Sequence, residues 1–85
     1  MEFAFNGDML LMARHIRMVT QIQLSEQSGI DQGRISRLEQ HEVFPDQAEV
    51  DALVRALRFP PSFFFREGEY PHPAYRLPCG YHLTF

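Results

Sequence analysis

The chain has no tryptophan, no lysine and a single cysteine, Cys79. One thiol excludes an internal disulfide and a multi-cysteine zinc site. Cys79 with His72 and His82 supplies three ligands without a fourth, so neither a metal centre nor a cofactor is expected. Long hydrophobic runs are missing too. The longest in the first half, Met9-Leu10-Leu11-Met12-Ala13, is far short of a membrane span. Glu2 and Asp8 precede it where a signal peptide would carry basic residues, so a cytoplasmic protein with no membrane partner is expected. Between residues 8 and 58, Gly29, Gly33 and Pro45 are the only glycines and proline, and no strand-like alternation appears there. No His-Glu-x-x-His, nucleophilic triad, phosphate-binding glycine loop or carboxylate pair stands out, which argues against an enzyme.

What is present fits one small globular domain. Eighty-five residues, 45% apolar and 22% charged, bury a thin core. The net charge of −3 is unevenly spread. Arg14, Arg17, Arg34 and Arg37 outweigh Glu26 and Asp31 over residues 14–38. Glu39, Glu42, Asp46, Glu49 and Asp51 then follow with no base among them. All basic residues are arginine, whose planar fork suits phosphates, guanine edges and carboxylates alike.

Periodicity and capping signals predict five helices. The first covers residues 8–19, opened by Asp8 after Asn6-Gly7, with Leu10, Ala13, Arg14 and Arg17 on one face. Thr20 caps a second helix, Gln21–Ser28, which points Leu24 and Ser25 inward and stops at Gly29 in a left-handed conformation. Asp31 caps a third over residues 32–40, with Ile35 and Leu38 inward. Asp46 and Glu49 form an acidic capping box for a fourth helix running to about Leu57, which buries Val50, Leu53, Val54 and Leu57. Pro60-Pro61 precede a short fifth helix over residues 62–66, and Phe59, Phe63 and Phe64 close the core. Residues 1–66 are the domain. Residues 67–85, rich in proline and aromatic residues, are an irregular arm with a strand candidate at residues 81–85. His15 and His41 are expected in solvent.

The informative stretch is T-Q-I-Q-L-S-E-Q-S-G-I-D-Q-G-R-I-S-R-L-E, residues 20–39. Two short helices around a Gly-apolar-cap turn have the layout of a helix-turn-helix. With Ile30 and Ile35 turned to the core, Gln32, Gly33, Ser36 and Arg37 fall on the outer face of the third helix and Arg34 at its edge. Such a face can enter a major groove and offer an amide and a guanidinium to base edges.

In these residues the chain resembles the Cro/repressor type of helix-turn-helix regulator, the XRE family. The resemblance covers roughly residues 10–66 through the motifs T-Q-x-x-L, S-G-I, I-S-R-L-E and F-P-P-S-F-F-F. It implies a compact all-α, lambda-repressor-like five-helix bundle. It also implies that Gln21 contacts a DNA phosphate, that Gln32, Gly33, Ser36 and Arg37 read bases, and that Arg14 and Glu39 form a structural ion pair. The partner implied is double-stranded DNA, bound at a palindromic operator by a homodimer acting as a repressor of phage or mobile-element type. The chain departs from the pattern at Gln40-His41-Glu42, where Asn-Gly is usual, and at Met18, where a glycine usually ends the first helix. It departs again at Ser25, where alanine is usual, and at Gly33 inside the third helix. The end of the bundle is similar to regulators fused to an ImmA/IrrE-type metallopeptidase, but no residue of that chemistry is present. The alternative reading is a protein-interaction module, antitoxin-like or a partner of a separate peptidase, with weak DNA binding. The acidic residues 39–51 favour it.

Overall fold

The computed structural model describes residues 4–70. It has five helices in chain order: α1 Gly7–Ile16, α2 Gln21–Ser28, α3 Gln32–Glu39, α4 Gln47–Leu57 and α5 Pro61–Phe64. No strand occurs among the described residues, so the fold is an all-α bundle. No helix there is long and apolar enough to cross a membrane. The arm beyond Tyr70, with the candidate strand at residues 81–85 and with Cys79, His72 and His82, lies outside the described residues.

Local side chains start most of these helices. The Thr20 hydroxyl accepts from the Gln23 amide at 2.9 Å, and the Gln23 side chain accepts from the Thr20 amide at 2.8 Å. Asp46 and Glu49 make the same reciprocal pair at 2.8 and 3.0 Å, the capping box expected for α4. Asp31 Oδ2 accepts from the Gly33 amide. For α1 the cap is Asn6 rather than Asp8: Asn6 Oδ1 accepts from the Asp8 amide at 2.9 Å. This moves the start one residue earlier and frees Asp8 for tertiary contacts. Gly7 can occupy the first turn because it lacks a side chain. A Cβ there would collide with the carbonyl oxygens of Leu38 and Glu39 at the end of α3.

The helix ends differ more from expectation. α1 stops at Ile16, not at residue 19, because Met18 turns left-handed with φ 58°. The Val19 amide then reaches back to the Arg14 carbonyl at 3.1 Å. His41 (φ 64°) follows α3 in the same way, while Arg58 (φ 60°) ends α4 at Leu57, where the sequence places that end. Gly29, with φ 79°, is the glycine that ends α2 as the sequence implies. α5 occupies residues 61–64 instead of 62–66, with Pro61 in its first turn, where the missing N–H costs nothing.

The core is continuous. Leu10 and Ala13 of α1, Leu24 of α2, Ile35 and Leu38 of α3, Val50, Leu53 and Leu57 of α4 and Phe64 of α5 form one buried cluster with Phe5, Met9 and Ile30. Truncating any of its fully buried leucines to alanine costs about 2–5 kcal/mol. Val54 is only partly buried and packs at the margin. Phe59 stacks on Phe63 with centroids 4.4 Å apart, and Phe63 meets Phe64 edge-on at 5.5 Å. Arg17 does not join the inner face of α1. It is exposed and caps α4, donating to the carbonyls of Leu57 at 2.7 Å and Arg58 at 2.9 Å, while its guanidinium lies over the Phe59 ring.

Residues 67–70 are tied to the bundle. Asn6 Nδ2 donates to the carbonyls of Arg66 and Gly68, both at 2.9 Å, and the Tyr70 amide donates to Asp8 Oδ2 at 3.1 Å. The Tyr70 hydroxyl lies 3.1 Å from His15 Nδ1, and His41 Nε2 lies 2.9 Å from Asp8 Oδ1. His41 is exposed, as the sequence implies, though bonded to Asp8, whereas His15 is half-buried rather than in open solvent. Sequence distances of 33 and 55 residues hide such pairs from a pattern-based reading.

Candidate nucleic-acid interface

α2 and α3 are joined by residues 29–31, a turn anchored by Ile30, which is buried in the core. α2 packs against both α3 and α4. Half-buried Ser25 lies one turn before the glycine whose amide it accepts through its carbonyl at 2.8 Å. Ile35 and Leu38 are buried, which turns the other side of α3 outward. Gln32 and Arg37 are exposed, and Gly33, Arg34 and Ser36 are half-buried.

Beneath this face lies a buried ion pair, Arg14 with Glu39. Arg14 Nε donates to Glu39 Oε2 at 2.6 Å and Nη2 to Oε1 at 3.1 Å, with both side chains 4% exposed. Arg14 Nη1 adds a bond to the Val19 carbonyl at 3.1 Å, tying the α1–α2 connection to the end of α3. A buried charge needs such a partner and further hydrogen bonds. Gln21 supplies one, donating through Nε2 to Glu39 Oε1 at 2.9 Å. The other end of the Gln21 amide accepts from Gln32 Nε2 at 2.6 Å. Arg14, Glu39, Gln21 and Gln32 thus form one relay from the core to the first residue of α3. The pairing of Arg14 with Glu39 matches the expectation from resemblance. The link through Gln21 to Gln32 is new, and only the spacing of two glutamines on adjoining helices hinted at it.

Arg34 is placed differently from the other outward residues. Its Nε and Nη2 both donate to the Glu49 carboxylate at 3.0 Å, and Nη2 also donates to the Phe44 carbonyl at 3.1 Å. The hydrogen-bonded carboxylate raises the Arg34 pKa, and the guanidinium in turn holds Glu49 below its ordinary value. Glu49 was visible in the sequence only as part of a capping box. Its second role had one hint, an acidic stretch directly following an arginine-rich helix.

Ser36 Oγ accepts from Gln40 Nε2 at 2.9 Å. Arg37 takes part in no ion pair among the described residues. Gly33 sits against its own cap, where a Cβ would lie 3.1 Å from Asp31 Oδ2, so a larger residue there presses on the start of α3. Glu42 and Asp46 are exposed in the connection beyond α3. An open groove of about 990 Å³ lies elsewhere, lined by residues including Phe5, Asp8, His41 and Arg66, and it shares no residue with the outward face of α3. No cluster of three metal-binding side chains occurs among the described residues.

No protein-family model matches the chain, and no curated protein matches it either.

Proposed function

We propose that this chain is a non-enzymatic, cytoplasmic DNA-binding regulator that reads double-stranded DNA in a sequence-specific way through α3. The observation that carries the reading is the Gln21–Gln32 bond at 2.6 Å on the outer side of a helix–turn–helix pair. A glutamine amide has two N–H donors and one carbonyl acceptor. Bonding to Gln21 uses one donor and leaves an N–H and an oxygen, the set that matches adenine N7 and N6 in a major groove. Arg37, exposed on the same face and in no ion pair among the described residues, is suited to guanine O6 and N7. Gly33 and Ser36 are small residues between them, and Gln21 Nε2, which gives one N–H to Glu39, has a second to offer a backbone phosphate. Action as a repressor dimer on a palindromic site follows from the resemblance and from the half-site geometry of such motifs.

A second reading, a protein-interaction module, is favoured by the sequestering of Arg34 on Glu49 and by the exposed acids beyond α3. Selecting bound duplexes from a random pool separates the two. The DNA reading expects an enriched palindrome with adenine and guanine in each half. Recovery of unenriched DNA, or of none, rejects it in favour of the protein partner.

A further inference from the structure

Arg34 and Glu49 stand on different helices, at the first turns of α3 and α4. Their contact is bidentate but open to solvent, with side chains 33% and 20% exposed. The Arg14–Glu39 pair, at 4% each, is sealed and cannot change partners without leaving a buried charge behind. The Arg34 pair can. A phosphodiester offers a guanidinium the same anionic, two-oxygen face as a carboxylate, and Arg34 lies within one turn of both Gln32 and Arg37, beside the face assigned to base reading.

We propose that Glu49 is an internal competitor for DNA phosphate: it holds the guanidinium of Arg34 in the free protein and gives it up to a backbone phosphate when α3 docks. This rests on the DNA reading above and assigns that site its restraint. With Arg34 masked, an encounter with random duplex loses one phosphate contact. The cation becomes available only where base contacts hold α3 in place long enough for the exchange. The third bond of Arg34, to the Phe44 carbonyl, keeps the guanidinium near the α3–α4 connection during the exchange.

The test measures affinity for a short random-sequence duplex over a range of salt concentrations, for the native chain, E49Q, R34A and the double variant. Glutamine at position 49 can still accept from the Asp46 amide and close the capping box, and thermal melting checks that the variant folds. E49Q is expected to bind about three- to tenfold more tightly at low salt, with a salt slope steeper by about one phosphate contact. Adding R34A should cancel both gains. Affinity and slope equal to the native values in E49Q overturn the proposal, as does a gain that survives in the double variant, which would reflect only the loss of one negative charge. If E49Q does not fold, R34A alone decides. A loss of about threefold or more on the selected duplex supports the exchange, and no loss overturns it. Failure of the native chain to bind any duplex rejects the DNA reading itself and this proposal with it, whereas native binding with an unresponsive position 49 rejects the proposal alone.

Discussion

Gln32 Nε2 donates to Gln21 Oε1 at 2.6 Å, and that same Gln21 donates to the carboxylate of Glu39. The amide presented at the start of α3 is therefore oriented from the core outward. Under the DNA reading, Gln21 acts partly through Gln32, so their effects cannot add. Gln21→Ala and Gln32→Ala should each weaken binding to the selected duplex, and the double variant should lose less than the total by about 0.5–1.5 kcal/mol. A double-mutant cycle on duplex affinity measures it. Simple additivity would mean that the two amides meet DNA independently.

Arg14→Ala should be the most destabilising single change outside the apolar core. It strands the Glu39 carboxylate, 4% exposed, at a cost of about 3–5 kcal/mol. Gln21→Ala removes one neutral donor from the same carboxylate and should cost only about 1–2 kcal/mol. Urea unfolding of both variants checks the order, and equal losses would contradict the assignment of Arg14 as the partner that compensates Glu39.

Met18→Gly should stabilise. Met18 is 71% exposed and holds φ 58°, so its side chain contributes little packing and strains the backbone. Relief of left-handed strain exceeds the added freedom of glycine in the unfolded chain, giving a gain of about 0.5–1 kcal/mol. A lowered melting temperature would show that Met18 packs against something in solution.

Glu49 gives a pH signature of known sign. Arg34 holds the Glu49 carboxyl below its ordinary value of 4.5. A carboxylate with a depressed folded-state pKa adds stability that is complete above its unfolded value and disappears as pH falls through the folded one. The stability difference between the native chain and Glu49→Gln should stay level near neutral pH and shrink below about pH 4.5. Urea midpoints across that range measure it, and a difference independent of pH would remove the ion pair from the account.

The helices were legible because their signals are local. Thr20, Asp31 and the Asp46–Glu49 box each act within three residues, and Gly29 ends α2 by its own backbone. The end of α1 was harder to read, since Met18 takes a left-handed conformation that its type does not announce, whereas α4 ends at Leu57 as its spacing implied although Arg58 is left-handed too. The outward face of α3 followed from the burial of Ile35 and Leu38. What joins that face to the rest of the bundle did not. Gln21 with Glu39, Arg34 with Glu49, Asp8 with His41 and Tyr70, and Arg17 with the end of α4 are contacts between distant segments. No spacing within one helix encodes such contacts. The Arg14–Glu39 pair was anticipated only through resemblance, by the positions of two motifs.

The central claim is that α3 discriminates between sequences through Gln32 and Arg37. The most direct measurement is the ratio of affinities for the selected duplex and a random duplex, at one fixed salt concentration, in the native chain, Gln32→Ala and Arg37→Ala. The account predicts that each variant loses about 1–3 kcal/mol on the selected duplex and much less on the random one, so that the ratio falls by about tenfold or more. Equal losses on both duplexes, leaving the ratio unchanged, would reduce these side chains to phosphate contacts and contradict it.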